Sequence, residues 1–234
     1  MIVGSKVDYD ISNLYIPNDV KEDIKYKKSF SATLTIIIRD KEGNIIKRYK
    51  QKSHSPTDNF IGLMLPLTWH NATGNSWTFV NTSNSTFGYA PSITNPGFGM
   101  GYPCGSSNHK DYIVNILVGS GSQSSPYSAY NLNAPIANGS GTGQLLYSSI
   151  STPTSITING SQAYFIISQS YNNQSGGTIT ISEVGIILYL QLGGSAAVLD
   201  GNGSVLIWYD VLSSPISVAN GQQIVIYYTF SVNA

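Results

Sequence analysis

Apolar and polar residues alternate with period two along much of this chain, and that rhythm leaves little room for helices. In "FSATLTIII" it sets Phe30, Ala32, Leu34, Ile36 and Ile38 on one face and Ser31, Thr33 and Thr35 on the other. In "QQIVIYYTFSV" it sets Ile224, Ile226, Tyr228, Phe230 and Val232 inward and Val225, Tyr227, Thr229 and Ser231 outward. Successive side chains of a strand point to opposite sides, so this pattern specifies half-buried strands. Further strands fit "DYIVNILVG" (111–119), "QLLYSSI", "AYFIISQSY", "GTITISEVGIILYL" and "SVLIWYDVL". "RDKEGNII" supplies a Gly43-Asn44 turn, and "IIKRYKQK" returns as the second arm of a hairpin. Its lysines belong on an exposed face or edge, where they discourage pairing between chains. "TDNFIGLMLPL" (57–67) is the best helix candidate, with Thr57 or Asp58 as N-cap and Pro66 as its stop.

About eight or nine strands separated by turn residues predict an all-β protein. The expected architecture is an antiparallel β-sandwich, single jelly-roll-like, with one short helix and long loops. No period of roughly 20–50 residues repeats, which excludes a solenoid or propeller. Residues 1–28 read as an N-terminal arm reaching a neighbouring subunit, and residues 29–234 as the sandwich domain. Residues 70–110 form a long excursion rich in Gly, Pro, Asn and Ser, with aromatics interleaved. A loop of that length in a compact domain is usually functional or packed on a partner.

Charged residues make up 10% of the chain, against about 25% in ordinary soluble domains. Disorder does not follow, because 41% of the residues are apolar and many are β-branched or aromatic. Eleven of the twelve Lys and Arg lie in residues 1–52 with seven acids, a net +4 from 11 − 7. That basic region could touch nucleic acid. The interspersed Asp19, Glu22, Asp23, Asp40 and Glu42 dilute the field and favour a solvated hairpin instead. Cys104 is the single cysteine, so no intrachain disulfide forms. "MIVGSKVDYD" lacks the basic and apolar regions of a signal peptide, and no apolar run is long enough to span a membrane.

From Tyr112 to Leu199 the only charged side chain is Glu183, in "ISEVGIILYL". Glycoside hydrolysis needs two carboxylates about 5–10 Å apart, and no local motif pairs Glu183 with Asp111, Asp200 or Asp210. The strand pattern offers a structural role. Ile179 and Ile181 have one parity, whereas Val184, Ile186, Leu188 and Leu190 have the other. A β-bulge at Glu183–Gly185 would let the inward face switch, with Glu183 accepting the backbone N–H groups that the bulge frees. No G-x-S-x-G occurs, Cys104 and His109 share a loop without dyad spacing, and His54, His70 and His109 are scattered. "GSGS" at 119–122 follows a strand but has neither the lysine nor the helix of a phosphate loop. No catalytic residue, cofactor or metal is therefore expected.

Sequons occur at Asn71, Asn81, Asn84, Asn138, Asn159, Asn173 and Asn202, all candidate glycosylation sites. The aromatics Trp69, Trp77, Phe79, Phe87, Tyr89, Phe98, Tyr102, Tyr127 and Tyr130 could build a sugar platform or anchor a subunit interface. The interface is preferred, because these loops show no cluster of acids and amides for sugar hydroxyls.

The second half of the chain runs "DYIVNILVGSGSQSSPYSAYNLNAPIANG", then "ISEVGIILYL", then "VLIWYDVLSSPISVANGQQIVIYYTFSV". This resembles a pattern in tail and virion structural proteins of phages and archaeal viruses. There a V-G-x-G strand end is followed by a PI segment, an I-S-E-V-G-type strand and a closing strand pair. "IRDKEGNIIKRYKQKSHSPTDNFIGLML" resembles their N-terminal hairpin and following helix. The resemblance covers about 29–69 and 111–233. Where that family often carries Arg-Asp in the penultimate strand, this chain has Tyr209-Asp210. The resemblance implies a β-sandwich and a non-enzymatic virion structural protein: a tail, spike, nozzle, turret or capsid-vertex component, of an archaeal virus by its composition. Such a protein would be made in the host cytoplasm and carried in the virion, in a symmetric ring or lattice with copies of itself and other virion proteins. The alternative expectation is a receptor- or carbohydrate-binding module that takes a glycan or host receptor.

Overall fold

A computed structural model describes residues 29–53, 56–61, 77–89, 114–125, 127–153, 155–189 and 204–233. The expected arm 1–28 lies outside them. So do Trp69, Asn71, Phe98, Tyr102, Cys104, Asn202 and the three histidines.

The described chain is nearly all strand. The strands are β1 (Ser29–Arg39), β2 (Ile45–Ser53), β3 (Trp77–Val80), β4 (Thr86–Tyr89), β5 (Val114–Gly119), β6 (Leu146–Ser151), β7 (Thr157–Asn159), β8 (Gln162–Asn172), β9 (Ile179–Tyr189), β10 (Ser204–Val218) and β11 (Gln223–Asn233). They pair antiparallel into two packed sheets and a separate hairpin. The larger sheet runs β2-β1-β11-β8-β6, with β7 on β8, and the smaller runs β10-β9-β5. The main core lies between them. The larger sheet contributes Leu34, Ile36, Tyr171, Ile224, Ile226 and Tyr228, and the smaller Ile116, Val118, Ile181, Val184, Ile186 and Ile216. Each such side chain taken from water contributes about 1.5–3 kcal/mol.

The alternation in β1 and β11 settles which face is buried. Ala32, Leu34, Ile36 and Ile38 are buried, as are Ile224, Ile226, Tyr228 and Phe230. Phe30 and Val232 share that parity and face each other in register, yet stay about half exposed at the sheet's end. The predicted β1–β2 hairpin turns at Gly43, whose φ of 90° suits glycine. Asp40 closes the turn by accepting hydrogen bonds from the backbone and side-chain amides of Asn44.

Four features differ from expectation. Inside the 70–110 excursion, Trp77–Val80 and Thr86–Tyr89 pair as the β3–β4 hairpin. Its turn is held by Asn81, whose Oδ1 accepts from the Ser83 and Ser85 N–H groups. Asn84, at φ 59°, supplies the left-handed residue. The helix, α1 (58–61), starts after Thr57 as expected. Thr57 caps it through its main-chain carbonyl, because its hydroxyl donates to Leu206 O at 2.6 Å instead. β10 continues beyond "SVLIWYDVL" through Pro215 to Val218.

The fourth difference is the bulge. β9 pairs with β5 in unbroken register through Glu183 and Gly185. The irregularities fall on β10, between Leu206 and Trp208 and between Val211 and Ile216. The second lets Leu212–Pro215 loop out opposite Ser182. Pro215 has no N–H to give a ladder, so a loop-out on an edge strand suits it. The inward face of β9 does change parity there, because Ile179, Ile181, Val184 and Ile186 all enter the main core.

Side chains bind each flank of the sandwich. At the edge of β5 that no described strand pairs, Ile116 N–H donates to Gln169 Oε1 at 2.8 Å and Ile116 O accepts from the Tyr171 hydroxyl at 2.7 Å. Both partners belong to β8 of the other sheet. At the opposite flank Tyr49 and Gln51 of β2 bond to Ser213 and Val211 of β10. Deeper in, Asp210 accepts from Ser53 and Tyr228, and the Trp208 indole donates to Ser53.

Candidate binding groove

Gly119 ends β5 directly opposite Glu183. Any Cβ at Gly119 would collide with the Glu183 carboxylate and lie 2.7 Å from Ala134 O. Glycine therefore lets the carboxylate and the returning chain approach. Ser120 N–H donates to Ala134 O, and Ile136 N–H to Val118 O, which fold the 120–135 loop back over the outer face of the smaller sheet. Under the loop, Ala129 and Leu132 pack on Leu206 and Tyr209 as a second, small core. Gly185 keeps that layer thin. A Cβ there would sit 2.7 Å from Leu206 Cδ1 and 3.1 Å from Trp208 O. Close packing, and not a bulge, is what requires glycine at 185.

Glu183 is fully buried beneath this loop. Its Oε1 accepts from the Ala134 N–H at 2.7 Å and the Gly121 N–H at 3.2 Å. Its Oε2 accepts from the Asn133 N–H at 3.0 Å and the Tyr209 hydroxyl at 2.7 Å. A carboxylate offers about four acceptor positions, and here the chain's own donors fill them. Burial, and then the hydrogen bond to Glu183, push the Tyr209 hydroxyl pKa well up, so it stays protonated and donating. Tyr209 Oη in turn accepts the Gln123 N–H at 2.9 Å.

The loop so held forms one wall of an open groove of about 410 Å³. The β3–β4 turn forms the other. Thr82, Ser83, Asn84, Gln123, Tyr130, Asn131, Leu132, Asn133 and Pro135 line it, and none of them is charged. Gln123 Nε2 donates to Asn131 O at 2.7 Å, and Asn131 Nδ2 crosses to Thr82 O at 3.1 Å, so both walls are tied together.

The other sequence candidates are dispersed. Trp77 pairs with Tyr89 and Phe79 with Phe87 in the backbone register of the β3–β4 ladder. Tyr127 is 58% exposed and Tyr130 38% exposed on the 120–135 loop. Of the sequons, Asn84, Asn138 and Asn159 are exposed. Asn173 and Asn81 are buried, which corrects their reading as glycan acceptors. The Asn173 amide donates to Gly177 O and Val218 O, locking the turn that joins β8 to β9, so its nitrogen is not free for a sugar. The expectation that these loops lack clustered amides also fails. Asn84, Gln123, Asn131 and Asn133 converge from segments about 40 residues apart. Among the groove residues the sequence marks Tyr130 as an aromatic and Asn84 as a sequon, whereas Gln123, Asn131 and Asn133 are single amides that carry no local pattern in a Ser/Asn-rich chain.

Compared with protein-family models, with curated proteins and with solved structures, the chain matches none of them.

Proposed function

We propose that this protein is a non-enzymatic structural β-sandwich of a virion surface, jelly-roll-like in its connections, that assembles with copies of itself. The reading rests on one observation above others, a row of apolar residues left bare across the larger sheet. Phe30 faces Val232, Val232 faces Ala163, and Ala163 faces Ile158, on one side of four adjacent strands. Phe30, Val232 and Ile158 are 52%, 46% and 77% exposed. Neighbouring strands lie about 4.8 Å apart, so the row extends roughly 15 Å. Contiguous bare apolar surface marks an interaction site. With no charge in it, the row suits a second copy of itself, apolar against apolar. Glu183 supports the non-enzymatic part, since its acceptor positions serve the fold.

Sedimentation velocity over a hundredfold concentration range tests the reading. The expected result is concentration-dependent assembly that Ile158→Asp or Val232→Asp abolishes with the fold intact. A monomer at every concentration, or assembly indifferent to both substitutions, overturns it.

A further inference from the structure

We infer that the groove between the β3–β4 turn and the 120–135 loop binds a neutral glycan. The inference stands apart from the assembly reading and uses different residues. The lining decides the ligand class. None of the described lining residues is charged, so they offer no ion pair to a phosphate, a sulfate, a carboxylate or an amine, and a neutral ligand fits them best. Two amides, Asn84 and Asn133, are exposed and make no side-chain hydrogen bond among the described residues. Each presents one acceptor oxygen and two N–H donors. A sugar hydroxyl is both donor and acceptor, so a pair of neighbouring hydroxyls can be met on both counts by one amide. The Tyr130 ring and Pro135 add apolar surface for the C–H face of a pyranose. The groove's volume of about 410 Å³ falls within the usual roughly 300–1,000 Å³ of small-ligand sites.

The site is also built in advance. Gln123 and Asn131 are spoken for by each other and by Thr82, so they fix the walls. The backbone N–H of Asn133 is held on Glu183 Oε2, which sets where its side chain starts. Gly121 leaves room for that side chain, since a Cβ there would lie 2.8 Å from Asn133 Nδ2. Ordering that precedes binding does not have to be supplied by the ligand.

The test uses the full chain made in bacteria, so that Asn84 carries no sugar, on an array of neutral and of sialylated or sulfated glycans. Asn133→Ala and Tyr130→Ala alter exposed side chains. Asn84→Gly removes the amide and tolerates the φ of 59°. The expected result is binding to a subset of neutral glycans that each variant reduces about tenfold or more, a loss comparable to one hydrogen bond or ring contact. Amide chemical shifts in the unmodified protein, titrated with the strongest array hit, provide a reading free of folding effects. They are expected to move at Gly121, Asn131 and Asn133. No neutral glycan above background, binding confined to the anionic glycans, binding that survives all three substitutions, or shifts located elsewhere would each overturn the inference.

Discussion

Glu183 shows how far a single residue can be read before its neighbours are known. Its isolation in the sequence marks it as special, and the alternation around it puts it at a change of face. Its partners come from 119–134 and from Tyr209, and nothing local announces them. All four partners donate to Glu183, so the site needs acceptors only, and Glu183→Gln places an amide N–H₂ against N–H donors already aimed at it. Leaving a buried donor unmet costs about 1–3 kcal/mol, more where a charged acceptor is lost. Glu183→Gln is therefore expected to lower the urea-unfolding free energy by about 3 kcal/mol. An unchanged denaturation midpoint would refute its anchoring role. Gly185 was legible as a constrained position but not for its reason. A glycine in a strand fits a bulge or a close approach equally well, and only the positions of Leu206 and Trp208 decide between them.

At the scale of elements, the strands were legible because their burial is one-sided. The hairpin at Gly43 and the inward faces of β1 and β11 follow from period two and one turn signal. The β3–β4 hairpin was hidden because four-residue strands leave too little alternation to see. The flanks were hidden for another reason. Gln169 and Tyr171 have inward parity in β8, so a sequence reading takes one as a flaw in the apolar face and the other as ordinary core. They instead satisfy the edge of β5 where no described strand does. Gln169→Ala leaves the Ile116 N–H buried without its acceptor. The expected outcome is a loss of about 1–3 kcal/mol together with faster hydrogen exchange at the Ile116 amide. Exchange there that stays as slow as at the centre of β11 would show that the edge is closed by other means.

For the whole molecule, scarcity of charge shifts titration onto tyrosine. Burial raises the Tyr147 hydroxyl pKa to about 12 and holds those of Tyr171 and Tyr228 well above their ordinary value, with Asp210 adding to the last. In the unfolded chain these groups ionise near pH 10. Below that both states keep the proton and the tyrosines favour neither. Above it the unfolded state has lost protons that the native state still holds, so stability falls as pH rises toward the native values. Each of Tyr171 and Tyr228 contributes up to about 1.4 kcal/mol per pH unit in that window. The measured unfolding free energy should be level from neutral pH to about pH 10 and decline between about pH 10 and 12, and Tyr147→Phe should make the decline shallower. A flat profile to pH 12 would contradict this. The bonds across the two flanks carry a further consequence. Because β5 is tied to β8, and β2 to β10, neither sheet can hinge away from the other without breaking its ties on at least one side. The sandwich thus has no cheap half-open form, so the inner faces of its two sheets stay covered and are not offered to neighbouring chains. Crowded copies would then meet only through preformed surfaces, and their stacking geometry would be a property of the folded unit.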